Sequence, residues 1–239
     1  TVPSSTPSTA APAALQPTGP NPAQRLSGGF DRMLESRQGG AMVAVGLALG
    51  AGFITRFALL VKAAGEASWN LSLLAAFGWG ALYDFAAALW WVAPLTFALA
   101  ILPARFFAWR ATRLLAHGGF LVIIYALLFG AVAEWLFWDE FGVRFNFIAV
   151  DYLVYTTEVI GNIRESYPMP VIYGGLLFAS VATYALLLWT GWIGRWLKSK
   201  PERAALRWRG AAVCFLALAL FGGGLRQGFI PGFANNYNR

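Results

Sequence analysis

Residues 71–102 read LSLLAAFGWGALYDFAAALWWVAPLTFALAIL, and Asp84 is the one charge in the whole stretch. A bilayer core about 30 Å thick takes roughly 20 mainly apolar residues in a helix rising ~1.5 Å per residue. This stretch exceeds that length, so it is predicted to cross with tilt, and Pro94 to kink it. Four further stretches qualify. Ala41–Ala63 is interrupted by Arg56 and Lys62, and Gly118–Trp138 contains Glu134. Val171–Trp192 follows Pro168 and Pro170, and Gly210–Leu225, the shortest, ends on three glycines and could be extended by Phe229–Phe233. Five such spans predict an all-α, polytopic membrane protein.

Composition agrees. The chain has 239 residues, 58% hydrophobic and only 12% charged, against roughly 25% charged in a soluble domain. Its charges cluster between the apolar runs. The net charge of +7 is therefore assigned to topology and to attraction for anionic headgroups, and no nucleic-acid partner is expected. The single cysteine, Cys214, and the single histidine, His117, give no disulfide framework and no metal-ligand set, so no metal or cofactor is expected in this chain.

Direction follows from Lys and Arg in the connections. With the N-terminus in the cytoplasm, the inner segments hold twelve, from Arg25 to Arg209, and the outer ones five: Lys62, Arg144, Arg164, Arg226 and Arg239. An N-in, C-out chain is predicted, and Trp69, Trp109, Trp138, Trp192 and Trp208 stand near span ends as an interfacial belt would place them. Residues 1–24 are Pro, Ala, Ser and Thr rich without charge, a composition too polar to offset chain entropy. Residues 1–40 are predicted to be a disordered cytoplasmic tail. The first residue is Thr1 rather than Met, as expected of a processed chain or a fragment.

The outer connection 139–169 is longer than a structureless loop usually is. At 100° per residue Asp151, Glu158, Asn162 and Glu165 share a stripe, while Ile148, Tyr152, Val159, Ile160 and Ile163 cover much of the rest. That predicts a helix in the outer interface. It is either a surface-anchored connector or a platform that shapes an entrance for a lipid substrate or docks an external domain.

Arg56, Asp84 and Glu134 are charges inside apolar spans, expensive there and so either structural or functional. Their depths favour an Arg56–Glu134 pair, leaving Asp84 to Tyr83 or a hydroxyl on another helix. No nucleophile elbow, phosphate loop, metal cluster or haem ligand pair is present, so no catalytic residue is assigned.

Two segments carry a resemblance. Gly80-Ala81-Leu82-Tyr83-Asp84-Phe85 followed by Pro94 is similar to the glycine-to-aspartate motif in the second span of lipoteichoic acid synthase-like proteins. Glu134 followed by the run Phe141-Gly142-Val143-Arg144-Phe145-Asn146-Phe147, continuing to Asn162-Ile163-Arg164-Glu165-Ser166-Tyr167-Pro168, resembles the outer juxtamembrane segment of that family's Gram-negative branch. Asn235-Asn236-Tyr237-Asn238-Arg239 is similar to the point where such proteins leave the membrane. The resemblance covers residues 41–239, and its specific part is 141–168.

The resemblance implies the membrane part of a phosphoglycerol-type transferase of the bacterial inner membrane. An external domain of the alkaline phosphatase and sulfatase superfamily would follow a linker beginning at 234–239. That external domain would supply the hydroxyl nucleophile and a manganese or zinc site; no residue here matches either. On this reading the chain anchors that domain and presents an anionic glycerophospholipid, with Arg144 and Arg164 as headgroup contacts because a guanidinium fork suits phosphate oxygens. The rival reading is a non-enzymatic scaffold or accessory subunit whose basic loop 194–209 binds a cytoplasmic partner. A transporter is disfavoured by the odd span count and the absence of internal repeats.

Overall fold

The computed structural model describes residues 31–65, 69–103, 106, 109–144, 156–198 and 203–227. They form α1 (Gly39–Lys62), α2 (Leu71–Ile101), α3 (Arg110–Phe141), α4 (Thr156–Ser166), α5 (Met169–Trp189), α6 (Trp192–Leu197) and α7 (Ala204–Arg226). Five of them, α1, α2, α3, α5 and α7, are long and apolar enough to cross a membrane.

The helix ends have local causes. Asn70 caps α2 by accepting from the Ser72 N–H at 3.0 Å. The helix stops before Pro103, whose ring disfavours helical backbone in the preceding residue. α3 ends on Gly142 at φ 65°, a left-handed cap that glycine adopts without strain, and the Gly142 N–H closes on the Trp138 carbonyl at 2.8 Å. α5 opens with a proline in its first turn, where the missing N–H costs nothing. It stops at Thr190, and Gly191 at φ 74° redirects the chain into α6.

The spans pack in a row, in the order α7, α2, α1, α3, α5. Spans consecutive in the chain run antiparallel, so the row neighbours α1 and α3 run parallel; one end of the bundle carries Arg37, Leu102 and Arg207 and the other carries Lys62 and Asp139. Small residues set close approach between α1 and α2, where Ala41 and Ala44 lie against Val92. The main apolar cluster, at the Arg37 end, joins Leu34, Val43, Leu99, Phe120, Ile124, Leu187, Ile193 and Trp196.

The structure moves several expected boundaries. The third span, expected over 118–138, runs Arg110–Phe141 and takes in Arg113 and His117 at one end and Asp139 and Glu140 at the other. A helix needs no apolar residues to continue through the headgroup layer, so composition underestimates it. For the same reason the fifth helix begins at Ala204 rather than 210 and includes Arg207 and Arg209. The fourth span stops at Trp189, short of 192, because Gly191 breaks it.

The tail expected to reach residue 40 is corrected at its end. Residues 31–34 are helical, Leu34 is 1% exposed, and Arg37 donates to the Leu102 carbonyl at 2.5 Å. Burial of Leu34 against Ile193 and Trp196 holds this segment under the bundle. Residues 1–30, the extension at 229–233 and the linker at 234–239 lie outside the described residues.

Of the expected interfacial helix, α4 is present, with Asn162, Arg164 and Glu165 exposed and Ile163 half-buried. Ile148, Asp151 and Tyr152 lie outside the described residues.

Candidate functional site

The site grows from a spacing repeated on two neighbouring helices. Gly52 and Arg56 are four residues apart on α1, and Gly80 and Asp84 are four apart on α2. Residues at that spacing stack on one helix face. Because α1 and α2 are antiparallel, Gly52 lies opposite Asp84 and Gly80 opposite Arg56. A Cβ at Gly52 would overlap the Asp84 carboxylate, and one at Gly80 would overlap the Arg56 guanidinium. Each charge therefore occupies the space left by the other helix's glycine, and Arg56 Nη2 donates to Asp84 Oδ2 at 2.7 Å.

The guanidinium is enclosed. Arg56 is 8% exposed, the Phe77 ring centroid lies 5.8 Å from its Cζ, and Phe53 meets Phe77 edge-on at 5.8 Å. Its Nε and Nη1 are buried without a hydrogen-bond partner among the described residues. Asp84, not Glu134, is thus the partner of Arg56. The expected pairing reasoned from depth alone; the carboxylate of Asp84 is too short to reach headgroups, so the longer arginine comes to it.

Glu134 instead accepts from Arg144 Nε, which folds back over the end of α3 past the Gly142 turn. The Glu134 side chain is 14% exposed and that of Arg144 43%. The Glu134 hydrogen bond raises the Arg144 pKa above the ordinary arginine value. Desolvation opposes this, and the negative charges of Glu134 and Asp84 reinforce it. Counted back from the Lys62–Asp139 contact, Arg56 lies six residues along α1 and Glu134 five along α3, so the two ion pairs stand at nearly one depth.

A third pair closes the same end: Lys62 donates to Asp139, and its ammonium sits 4.5 Å from the Trp135 ring centroid. Arg164 lies in the last turn of α4, exposed, with no ion pair or hydrogen bond among the described residues. Arg144 and Arg164 are not brought into contact with each other by anything described.

The opposite end is built for rigidity. Trp196 donates to the Arg37 carbonyl at 2.9 Å and its ring covers Gly40. Gln38 Nε2 reaches the carbonyls of Thr96 and Arg207, both at 3.2 Å, and Arg207 Nη1 donates to the Leu102 carbonyl at 3.1 Å. Arg195 pairs with Asp31 and donates to the Thr190 carbonyl at 2.9 Å. His117 Nδ1 meets the Tyr184 hydroxyl between α3 and α5. Among the described residues no group of three or more His, Cys, Asp or Glu could hold a metal ion.

Sequence reasoning missed the roles of Gly52 and Gly80, although the signal was present. A glycine four residues before a charge, on each of two consecutive spans, marks a charge seated in a glycine notch.

These helices and their buried ion pair define an all-α, multi-pass membrane protein. No protein-family model, curated protein or solved structure matches the chain.

Proposed function

We propose that the chain is the membrane domain of a phospho-headgroup transferase of the lipoteichoic acid synthase-like type. It holds an anionic glycerophospholipid at the outer face of a bacterial inner membrane for an external catalytic domain. On this reading the Lys62 end faces outward. The observation that carries it is the position of Arg144. It is the exposed edge of an otherwise buried charge layer, at the start of the 141–168 run on which the resemblance rests. A half-exposed guanidinium at a span end suits a phosphate oxygen, and Arg164 on α4, without an ion pair or hydrogen bond among the described residues, supplies a second fork.

The rival scaffold reading needs a free basic surface at 194–209. Arg195 and Arg207 there are committed to Asp31, Thr190 and Leu102 of the same chain, which leaves Lys198, Arg203 and Arg209 as the exposed basic residues described there.

The test is lipid retention. The purified chain is placed in nanodiscs of mixed phosphatidylglycerol and phosphatidylcholine, and the lipids that stay bound are weighed by native mass spectrometry. Enrichment of phosphatidylglycerol, lost in Arg144→Ala with Arg164→Ala, supports the reading; equal retention of both lipids rejects it. A reading frame that continues past Arg239 into a phosphatase-superfamily domain separates it from the scaffold.

A further inference from the structure

Lys62 fixes the register of α1 against α3. It pairs with Asp139 and lies on Trp135. Arg56 is six residues back from Lys62 along α1, and Glu134 is five back from Asp139 along α3. At ~1.5 Å per residue those are drops of about 9 Å and about 7.5 Å, so the two residues start at nearly one depth on packed helices. Glu134 is nonetheless held by Arg144, while Arg56 keeps Nε and Nη1 buried and without a partner among the described residues. Buried guanidinium N–H groups without an acceptor are costly. The layer therefore holds one arginine with donors to spare at nearly the same depth as a carboxylate whose present partner is half-exposed.

We propose that Arg144 is the releasable member of this layer. A phosphate group at headgroup depth competes with Glu134 for the Arg144 fork, and Glu134 then turns to the spare N–H groups of Arg56. This rests on the lipid-presenting reading above and adds to it a competitor and a receiver. Without a receiver, release would strand a carboxylate that is 14% exposed, which is the penalty that makes broken buried pairs so unfavourable. With it, one guanidinium bridges Asp84 through Nη2 and Glu134 through its remaining donors. The extra negative charge in the layer is the one the phosphate brings. Gly142, at φ 65° between Glu134 and Arg144, is the turn about which Arg144 swings. Headgroup binding is thereby coupled to the contact between α1 and α3.

Two arms test this. In dodecyl maltoside micelles, which carry no phosphate, Arg56→Lys keeps a charge for Asp84 but lacks the spare fork, and Arg144→Gln releases Glu134. Each alone is expected to lower the thermal midpoint slightly. Together they are expected to lower it by clearly more than the sum, because Glu134 then has no receiver, and adding Glu134→Gln restores the loss. Additive effects overturn the exchange even if the lipid preference stands.

In the second arm phosphatidylglycerol, and separately inorganic phosphate, is titrated onto the wild-type chain and its variants. Glu134→Gln removes the competitor and is expected to tighten binding ~5-fold or more, and Arg56→Lys to weaken it by a similar factor. A response to both probes assigns the site to phosphate chemistry, and a response to phosphatidylglycerol alone assigns it to the lipid; either supports the competition. Unchanged affinity in both variants overturns the exchange alone. No effect of either probe on the wild-type chain overturns the exchange and the lipid reading together.

Discussion

The indole of Trp196 lies against the bare α-carbon of Gly40 while its N–H binds the Arg37 carbonyl at 2.9 Å. The first residues of α1 are thereby locked onto α6, the short helix after the fourth span. A Cβ at Gly40 would sit 2.5 Å from Trp196 Cε2. Gly40→Ala is therefore expected to cost about 1–3 kcal/mol, the usual price of overpacking. Gly46→Ala on the same helix meets nothing within 4 Å and is expected to be neutral or slightly stabilising, since alanine is the better helix former. Unfolding midpoints in one detergent compare the two, and equal losses would refute the contact.

Leu34 extends the same lock. It is 1% exposed among Ile193, Trp196 and Val43, so Leu34→Ala is expected to destabilise by about 2–5 kcal/mol. A change within a few tenths of a kcal/mol would mean that residues 31–38 do not hold the bundle.

Asp84→Asn and Arg56→Gln each break a pair whose side chains are 22% and 10% exposed. Each is expected to destabilise by about 3–5 kcal/mol, mostly through the stranded partner. The double variant strands neither, so its loss should fall well short of the sum. Strict additivity would show that the two charges do not interact.

Lys62 and Asp139 give the contrasting case, with side chains 26% and 48% exposed. Asp139→Asn is expected to cost at most about 1 kcal/mol, an effect that added salt shrinks. A loss as large as that of Asp84→Asn would refute the assignment of this pair to the wet end of the bundle.

Orientation is open to a direct measurement. In a Cys214→Ser background, Gly65→Cys and Ala111→Cys place thiols at opposite ends of the bundle. With the N-terminus inside, an impermeant maleimide labels the first in intact cells and the second only after permeabilisation. The reverse pattern would turn the protein over.

The span count was legible because lipid imposes it: only long apolar helices satisfy their own backbone in hydrocarbon, and Leu71–Ile101 can hardly be read otherwise. The ends of α3 and α7 were not, because Arg110, Arg113 and Arg207 belong to helices that outrun the apolar layer. The partner of Arg56 was misread for a different reason. Depth is a coordinate along one helix, whereas pairing depends on the register between two. Gly52 and Gly80 carried that register, but it becomes readable only once α1 and α2 are known to be neighbours. Trp192 reads as an interfacial aromatic, but nothing in the sequence marks its neighbours Ile193 and Trp196 as core; their burial depends on residues 31–38 folding beneath them.

The row order α7, α2, α1, α3, α5 also bears on how the protein is made. Of these five helices, the one that leaves the ribosome first stands at the centre. The next two dock on its two flanks, and the last two join the outer edges, α5 on α3 and α7 on α2. At no stage must a newly inserted helix wedge between two already in place. The five can grow outward from α1, and the Arg56–Asp84 pair can form as soon as α2 enters the membrane.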